Sequence, residues 1–455
     1  MLQFKLKLLQ FIIATLVCTQ CILSQTGSTL KELVAQAEKS YPSIAAKKAQ
    51  TKAAEKEIQV QKNTIVPSLD AAYQADYATY NNITGMAYPQ YLIPISGPPT
   101  TDNKYTGVFG SAASLLLNWQ PLTFGLRNAQ VNIAQQNYKL SIADESNTIF
   151  QLKLNVIAVY LNITMADELL KVYDENIARI QTQLKQIRSL VISGIKPGTD
   201  TSLFQAELSK ATIDLYNIQR YRDEQQNELA TLTGNTQLTT QTDSFFVQHA
   251  PSLQLQDTIV IHPLIQYTEQ LIQLQQANKT AIKKSILPKL NIWSTTYARG
   301  SGISYDGTVK SIDGLGFSRY NYGAGVQLSV PILKYTDVKL QTQKQDALIQ
   351  SYQSQLQQTQ LQLSRDSLNA EQAINSSIKV VKETPVQLSA ANAAYRSMLS
   401  RYNAGLASFA DLIQAQYALI KAETDVKQSY LNVWKALLQK AAARGDVNIF
   451  LSELP

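Results

Sequence analysis

The sequence predicts a mainly α-helical chain with membrane β-strands, built from duplicated long helical hairpins and two β-hairpins. Three observations predict it. Leu126–Ser193 is 68 residues without glycine or proline. The pattern of that stretch and its return recurs further along the chain. Each copy is preceded by a pair of segments that alternate apolar and polar residues.

The long stretch would reach roughly 100 Å as one helix. Its last third carries Leu170, Tyr173, Ile177, Ile180, Leu184, Ile187 and Val191 at alternating three- and four-residue steps, the period of a coiled-coil seam. Gly194, Pro197 and Gly198 stop it, and a second stripe begins with Phe204, Leu208, Ala211, Leu215 and Ile218. Two seams around a short Gly/Pro turn predict an antiparallel helical hairpin.

Adding 211 carries the first stripe onto Val381, Thr384, Leu388, Ala391, Tyr395, Met398 and Tyr402, and the turn glycine onto Gly405. Asp200 and Asp411 each follow their glycine by six residues. Upstream the shift is 221: Tyr41-Pro42-Ser43-Ile44 matches His262-Pro263-Leu264-Ile265, and Pro67 matches Pro288. Helical composition alone would reproduce the stripes but not the matched prolines, so the chain reads as an internal duplication.

Taken in order, residues 1–24 hold Lys5 and Lys7, an apolar run and small residues, the pattern of a signal peptide. Cys18 and Cys21 fit a lipoprotein cleavage site poorly and would leave with it, removing disulfide and thiolate chemistry. The net charge of +7 would fall by those two lysines to +5, without the basic cluster of a nucleic-acid binder. The rest, 25–455, is expected to be one domain of two repeats, about 29–233 and 258–443. No later stretch is expected to qualify as a transmembrane helix. Residues 29–62 read as one helix.

Membrane strands are expected within 67–120 and 288–331. In the first pair Leu69, Ala71, Tyr73, Ala75 and Tyr77 share a face. Gly107, Gly110 and Ser111 thin the returning segment, and a Gly/Pro-rich loop with Pro89, Pro94, Pro98 and Pro99 separates the two. In Tyr320–Val330, Tyr322, Ala324, Val326 and Leu328 oppose Asn321, Gly323, Gly325, Gln327 and Ser329. An apolar face opposite a small, polar one suits a strand between lipid and water; soluble hairpins packed on the helices are the alternative. Four strands cannot close a barrel, and an open sheet edge is not viable in lipid. Two chains would give eight strands, whose interior side chains fill; three give twelve, with a lumen. Helical segments 121–233 and 332–443 would continue the tube, with 234–261 as a connector. The expected assembly is a trimeric α-barrel joined to a 12-stranded β-barrel.

Little chemistry is written here. His249 and His262 have no partner at metal-ligand spacing, and no phosphate loop, nucleophile elbow or HExxH is present, so neither enzyme, cofactor nor metal site is expected. Asp200 and Asp411 fall in the first turn of a returning helix, where a carboxylate caps free N–H groups.

The signal peptide, Pro-flanked strand pairs, two long hairpins and the turn YNAGLASFADLIQAQ from Tyr402 to Gln416 resemble the TolC-type outer-membrane efflux family, or outer-membrane factors. The resemblance spans about residues 28–443. It implies an outer-membrane channel-tunnel with a long periplasmic extension. Such a duct serves a periplasmic adaptor (membrane fusion protein) and an inner-membrane pump or secretion system, and performs no catalysis. It implies that Gly194, Gly405 and Tyr402 belong to the periplasmic tip. It also implies that Asp411, with Asp200 and Gln414, contributes to a lumen constriction. The family's second acid is replaced here by Gln414 and Leu203, and its arginine by Ala407. A periplasmic coiled-coil adaptor or a structural filament protein is the competing reading. The first needs one hairpin and a compact β module; the second needs no amphipathic strands.

Overall fold

The computed structural model describes residues 29–79, 81, 101–235, 242–252 and 260–455. The expected signal peptide, both cysteines, most of the Gly/Pro-rich loop and parts of the connector lie outside the described residues. The chain forms two compact units. One comprises residues up to Thr51 together with Ser141–Glu269 and Ser354–Pro455; the other comprises Lys52–Leu140 and Gln270–Gln353.

The helical elements are α1 (Leu30–Ser40), α2 (Pro42–Asn63), α3 (Leu126–Ile192), α4 (Gly198–Thr233), α5 (Pro263–Lys284), α6 (Tyr335–Asn403), α7 (Phe409–Arg444) and α8 (Asn448–Leu451). The strands are β1 (Ser68–Thr79), β2 (Gly107–Leu122), β3 (Lys289–Ser301) and β4 (Arg319–Ser329). The repeat is visible in the element bounds: α4 and α7 are both 36 residues long and start 211 apart. Helices α2 and α5 are both 22 residues long and start 221 apart. Gly234 and Gly445 end α4 and α7 in the left-handed conformation that glycine adopts without penalty.

The single helix expected over 29–62 is two. Thr29 and Glu32 form a capping box at the start of α1, and Tyr41 is extended before Pro42 opens α2. A proline ring disfavours helical geometry in the residue before it, yet suits a first helical position. A second expectation also fails: α3 contains an 18-residue window of mean hydropathy 1.4, apolar enough to cross a membrane. That window is 61% buried within the fold.

The first unit has two cores. Ile157, Leu161, Ile163, Phe246, Trp434, Leu437 and Phe450 form one, in which Trp434 stacks edge-on to Phe246 and Phe450 and donates its indole N–H to the His249 carbonyl at 2.8 Å. The other is the seam between the hairpins, with Ile180, Leu184 and Ile187 of α3, Phe204 of α4, Tyr395 and Tyr402 of α6, and Leu412 and Leu419 of α7. Each buried Leu or Ile contributes about 1.5–3 kcal/mol relative to an exposed one.

The second unit carries one antiparallel sheet in the order β1-β2-β3-β4. The two expected hairpins are joined, because β2 also pairs with β3 from Gly110↔Ser301 to Leu122↔Leu290. Between β3 and β4 the chain crosses the outer part of β2. The Ser111 hydroxyl donates to the Gly314 carbonyl at 2.7 Å, and the Gly302 amide to the Phe109 carbonyl at 3.0 Å. This close approach explains the glycines: a Cβ on Gly314 would lie 1.7 Å from the Phe109 oxygen, and one on Gly300 would lie 1.9 Å from the Gly316 oxygen.

Candidate functional site

Two regions carry the residues singled out by sequence: the paired hairpin turns of the first unit and the two faces of the sheet in the second.

At the turns, α3 and α6 end alike. Gly194 (φ +72°) and Gly405 (φ +79°) are left-handed, and the following amides, of Ile195 and Leu406, reach back to Leu190 and Arg401 carbonyls at 2.9 and 2.8 Å. Nothing lies within 4 Å of a Cβ built on either glycine, so backbone geometry alone selects them. Ile192, Ile195 and Leu406 stand exposed there. Tyr402 is buried, 2% exposed, and its hydroxyl donates to Asp200 Oδ2 at 2.5 Å across the two hairpins. Burial, and then the Asp200 carboxylate, raise the Tyr402 phenol above its usual value. Lys196, in the first turn, donates to the Tyr402 carbonyl at 2.9 Å and sits 4.1 Å over its ring. Phe204 stacks between Tyr402 and Phe409.

The cap expected of Asp200 is not made: Pro197 opens α4 without a side-chain cap, and the Asp200 carboxylate, 9% exposed, goes to Tyr402. Asp411 does cap. The Ser408 hydroxyl accepts from the Asp411 amide at 3.2 Å, while Asp411 Oδ2 accepts from the Ser408 amide at 3.0 Å and hydroxyl at 2.7 Å. These Ser408 donors hold the exposed carboxylate below its usual range. Gln414 is exposed one turn further on. The fold therefore brings Asp200 to Tyr402, while Asp411 and Gln414 stay on an open face of α7.

Above the turns the seam holds a polar ladder that sequence reasoning missed. Gln416 donates to Asn176 at 2.9 Å, Arg179 grips Glu423 with two bonds at 2.9 and 2.8 Å, and Gln183 bonds Tyr395. The apolar period was readable, but these pairs join residues more than 200 positions apart.

In the sheet, directly opposed residues share a face. The register therefore joins Leu69, Ala71, Tyr73, Ala75 and Tyr77 of β1 with Phe109, Ala113, Leu115 and Leu117 of β2. Ile292 and Ala298 of β3 then meet Val326 and Tyr320 of β4 on this face. Tyr73, Tyr77, Tyr320, Tyr322, Val326 and Leu328 are all exposed; Tyr322 is 93% so. Hydroxyls on this face are turned inward: Ser294 and Thr296 donate to the Gly323 and Asn321 carbonyls at 3.3 and 3.2 Å. The opposite face holds Asp70, Gln74, Asp76, Asn118, Asn291, Tyr297, Arg299, Arg319, Asn321 and Gln327. Among the described residues neither edge strand, β1 or β4, has a second neighbour. The described residues hold no cluster of His, Cys, Asp or Glu able to take a metal.

This architecture is found in solved outer-membrane channels. The outer membrane protein VceC from Vibrio cholerae is 14% identical with a TM-score of 0.68, over 92% of this chain and 96% of that one. The CmeC channel of Campylobacter jejuni is 13% identical with a TM-score of 0.73, over 91% and 85%. The open-state MtrE channel of Neisseria gonorrhoeae is 18% identical with a TM-score of 0.65, over 92% and 89%. No curated protein matches the chain. The chain thus shares the fold of these solved channels. Residues 33–235 match the sequence model of the outer membrane efflux proteins, the family this chain resembles.

Proposed function

We propose that three copies of this chain form the exit duct of a tripartite efflux or type I secretion system. Their sheets would close edge to edge into a twelve-stranded barrel in the outer membrane, and their hairpins would form a periplasmic α-barrel. The single observation that carries this reading is the sheet: an apolar, exposed face opposite a polar one, bounded by two open edges. Unpaired backbone groups along an edge are costly in lipid, and pairing β4 of one copy with β1 of the next removes both edges. The match of residues 33–235 to the efflux-protein sequence model and the shared fold support the same assignment.

In this reading the duct is passive, with no cofactor. Gly194, Gly405 and Tyr402 mark the tip, and the exposed Ile192, Ile195 and Leu406 offer apolar contact to a periplasmic adaptor that links to an inner-membrane pump. Asp411 and Gln414, open to solvent, are the candidates for the constriction.

Val326 and Gln327 test the membrane assignment, since they are adjacent on β4 and face opposite ways. Arginine on the lipid face costs about 2–4 kcal/mol at the membrane midplane. Val326→Arg should prevent recovery of a crosslinkable trimer from the detergent-extracted outer membrane, while Gln327→Arg should yield it at the wild-type level. Equal yields from the two variants would refute the barrel.

A further inference from the structure

The polar face of the sheet carries a charge arrangement that the duct reading does not require. Arg299 on β3 is directly opposite Arg319 on β4. Opposed residues of an antiparallel pair have Cβ atoms about 4.5–5.5 Å apart, and like charges there are destabilising. Neither guanidinium takes part in an ion pair among the described residues; Arg319 donates to the Ser318 carbonyl at 3.2 Å. On its other side Arg299 faces Ala112, the next rung outward is Gly110↔Ser301, and both arginines are exposed. Asp76, the acid of this face nearest the loop end, lies on β1, and the Gln74 amide holds both its oxygens at 2.9 and 2.8 Å. The next rung inward adds Tyr297 opposite Asn321, a phenol and an amide on the same face.

We propose that Arg299 and Arg319 form an anion site at the loop end of the polar face, binding soluble phosphate- or carboxylate-bearing ions. The proposal rests on the duct reading, which makes this face the lumen wall. A guanidinium fork matches phosphate and carboxylate oxygens two at a time, which a lysine does not. Two forks side by side, with no carboxylate opposed to Arg299 in the register, suit a multivalent anion, and three copies would set six around the mouth. Arg299 is the anchor: it stands on an inner strand, whereas Arg319 stands on the edge that meets the next copy.

The test uses the full-length protein in planar phosphatidylcholine bilayers, with inorganic pyrophosphate added to one side at a time. Wild-type conductance should be blocked from the loop side only, and more weakly as salt rises, because exposed charges are screened. Arg299→Gln should raise the half-blocking concentration about tenfold, the loss of one charge-assisted bond. Arg299→Lys should fall between, and Arg319→Gln should act in the same direction as Arg299→Gln. Block unchanged in both Gln variants, or equal from both sides, overturns the site. Weaker block in bilayers containing phosphatidylglycerol would assign the site to lipid headgroups and overturn the soluble-anion assignment. Absence of any conductance from the wild-type trimer would instead refute the duct on which the proposal rests.

Discussion

Removing one oxygen atom, in Tyr402→Phe, isolates one of the bonds that tie the two hairpin turns together. The ring keeps its contacts with Phe204 and Lys196, but the Asp200 carboxylate loses its donor while remaining 9% exposed. A hydrogen bond to a charged group is worth about 1.5–3 kcal/mol, and a buried acceptor left bare costs a similar amount. Local opening of the turns should therefore become easier by about 1.5–3 kcal/mol, which is about 10- to 150-fold in the opening equilibrium. Amide hydrogen exchange at Ile195 and Leu406 reads that equilibrium directly, since both amides are held by turn carbonyls. Asp200→Asn keeps an oxygen acceptor and should lose less, and the double variant should lose less than the sum. The raised phenol adds a pH signature. A group whose folded value lies above its unfolded value near 10 contributes fully below that value and is lost as pH rises through the folded one. The turns should thus exchange with an unchanged opening equilibrium from neutral pH to about 9 and open in stronger alkali. Exchange in Tyr402→Phe within twofold of wild type, or strictly additive single effects, would refute the clasp.

Three further outcomes follow from other parts of the fold. Asp411→Asn should lower stability only slightly, because an asparagine oxygen at this exposed third position can still accept from the Ser408 amide. If three Asp411 carboxylates ring the constriction, the same variant should weaken cation selectivity and trivalent-cation block in bilayers; unchanged selectivity would leave Asp411 as a cap. Gly194→Ala and Gly405→Ala should each cost about 1–2 kcal/mol, the left-handed backbone penalty. Gly445→Ala should cost more, since its Cβ would meet His262 Cα at 2.7 Å and Pro263 Cδ at 2.9 Å; thermal midpoints of the purified variants check the ranking. His262 is held neutral: its Nδ1 accepts the Leu264 amide at 3.1 Å, its Nε2 donates to the Ala442 carbonyl at 3.0 Å, and burial lowers its pKa below 6.5. A depressed value means stability is complete above about 6.5 and declines as pH falls toward the folded value. Denaturation midpoints should show that decline in wild type but not in His262→Asn, and identical slopes would exclude His262 as its source.

What could be read from the chain was whatever is decided locally. Gly194 and Gly405 stop helices by their own backbone freedom, and the stripe from Ile180 to Ile187 declares its buried face by spacing. Alternation in β4 likewise gave its two faces. The Tyr41-Pro42 break was also local, and the rule on residues before proline would have found it. The Ser408–Asp411 box was legible in the same way, as a short polar residue three before an acid. By contrast, Tyr402 and Asp200 are 202 positions apart, and neither residue type announces a partner. The Asn176–Gln416 and Arg179–Glu423 pairs are hidden for the same reason: helix surfaces are full of such residues, and only the packed register selects among them. The β2–β3 pairing was obscured by Gly110 and Ser111, which weaken the strand signal because the β3–β4 segment crosses close to them.

That crossing segment also has a practical meaning. Its path is fixed by glycines that admit no Cβ, Gly300 and Gly314, and by main-chain bonds to β2, so its shape does not depend on the identity of its outermost side chains. The outermost side chains are open to solvent: Tyr305 is 91% exposed, and a Cβ on Gly307 would meet nothing within 4 Å, although its backbone is left-handed (φ +84°). The segment is a frame bonded to β2 around a solvent-exposed turn, the geometry sought for displaying a foreign peptide. An epitope inserted between Asp306 and Gly307 would be presented on a fixed support, while the same insertion between Gly314 and Leu315 would dislodge the frame itself.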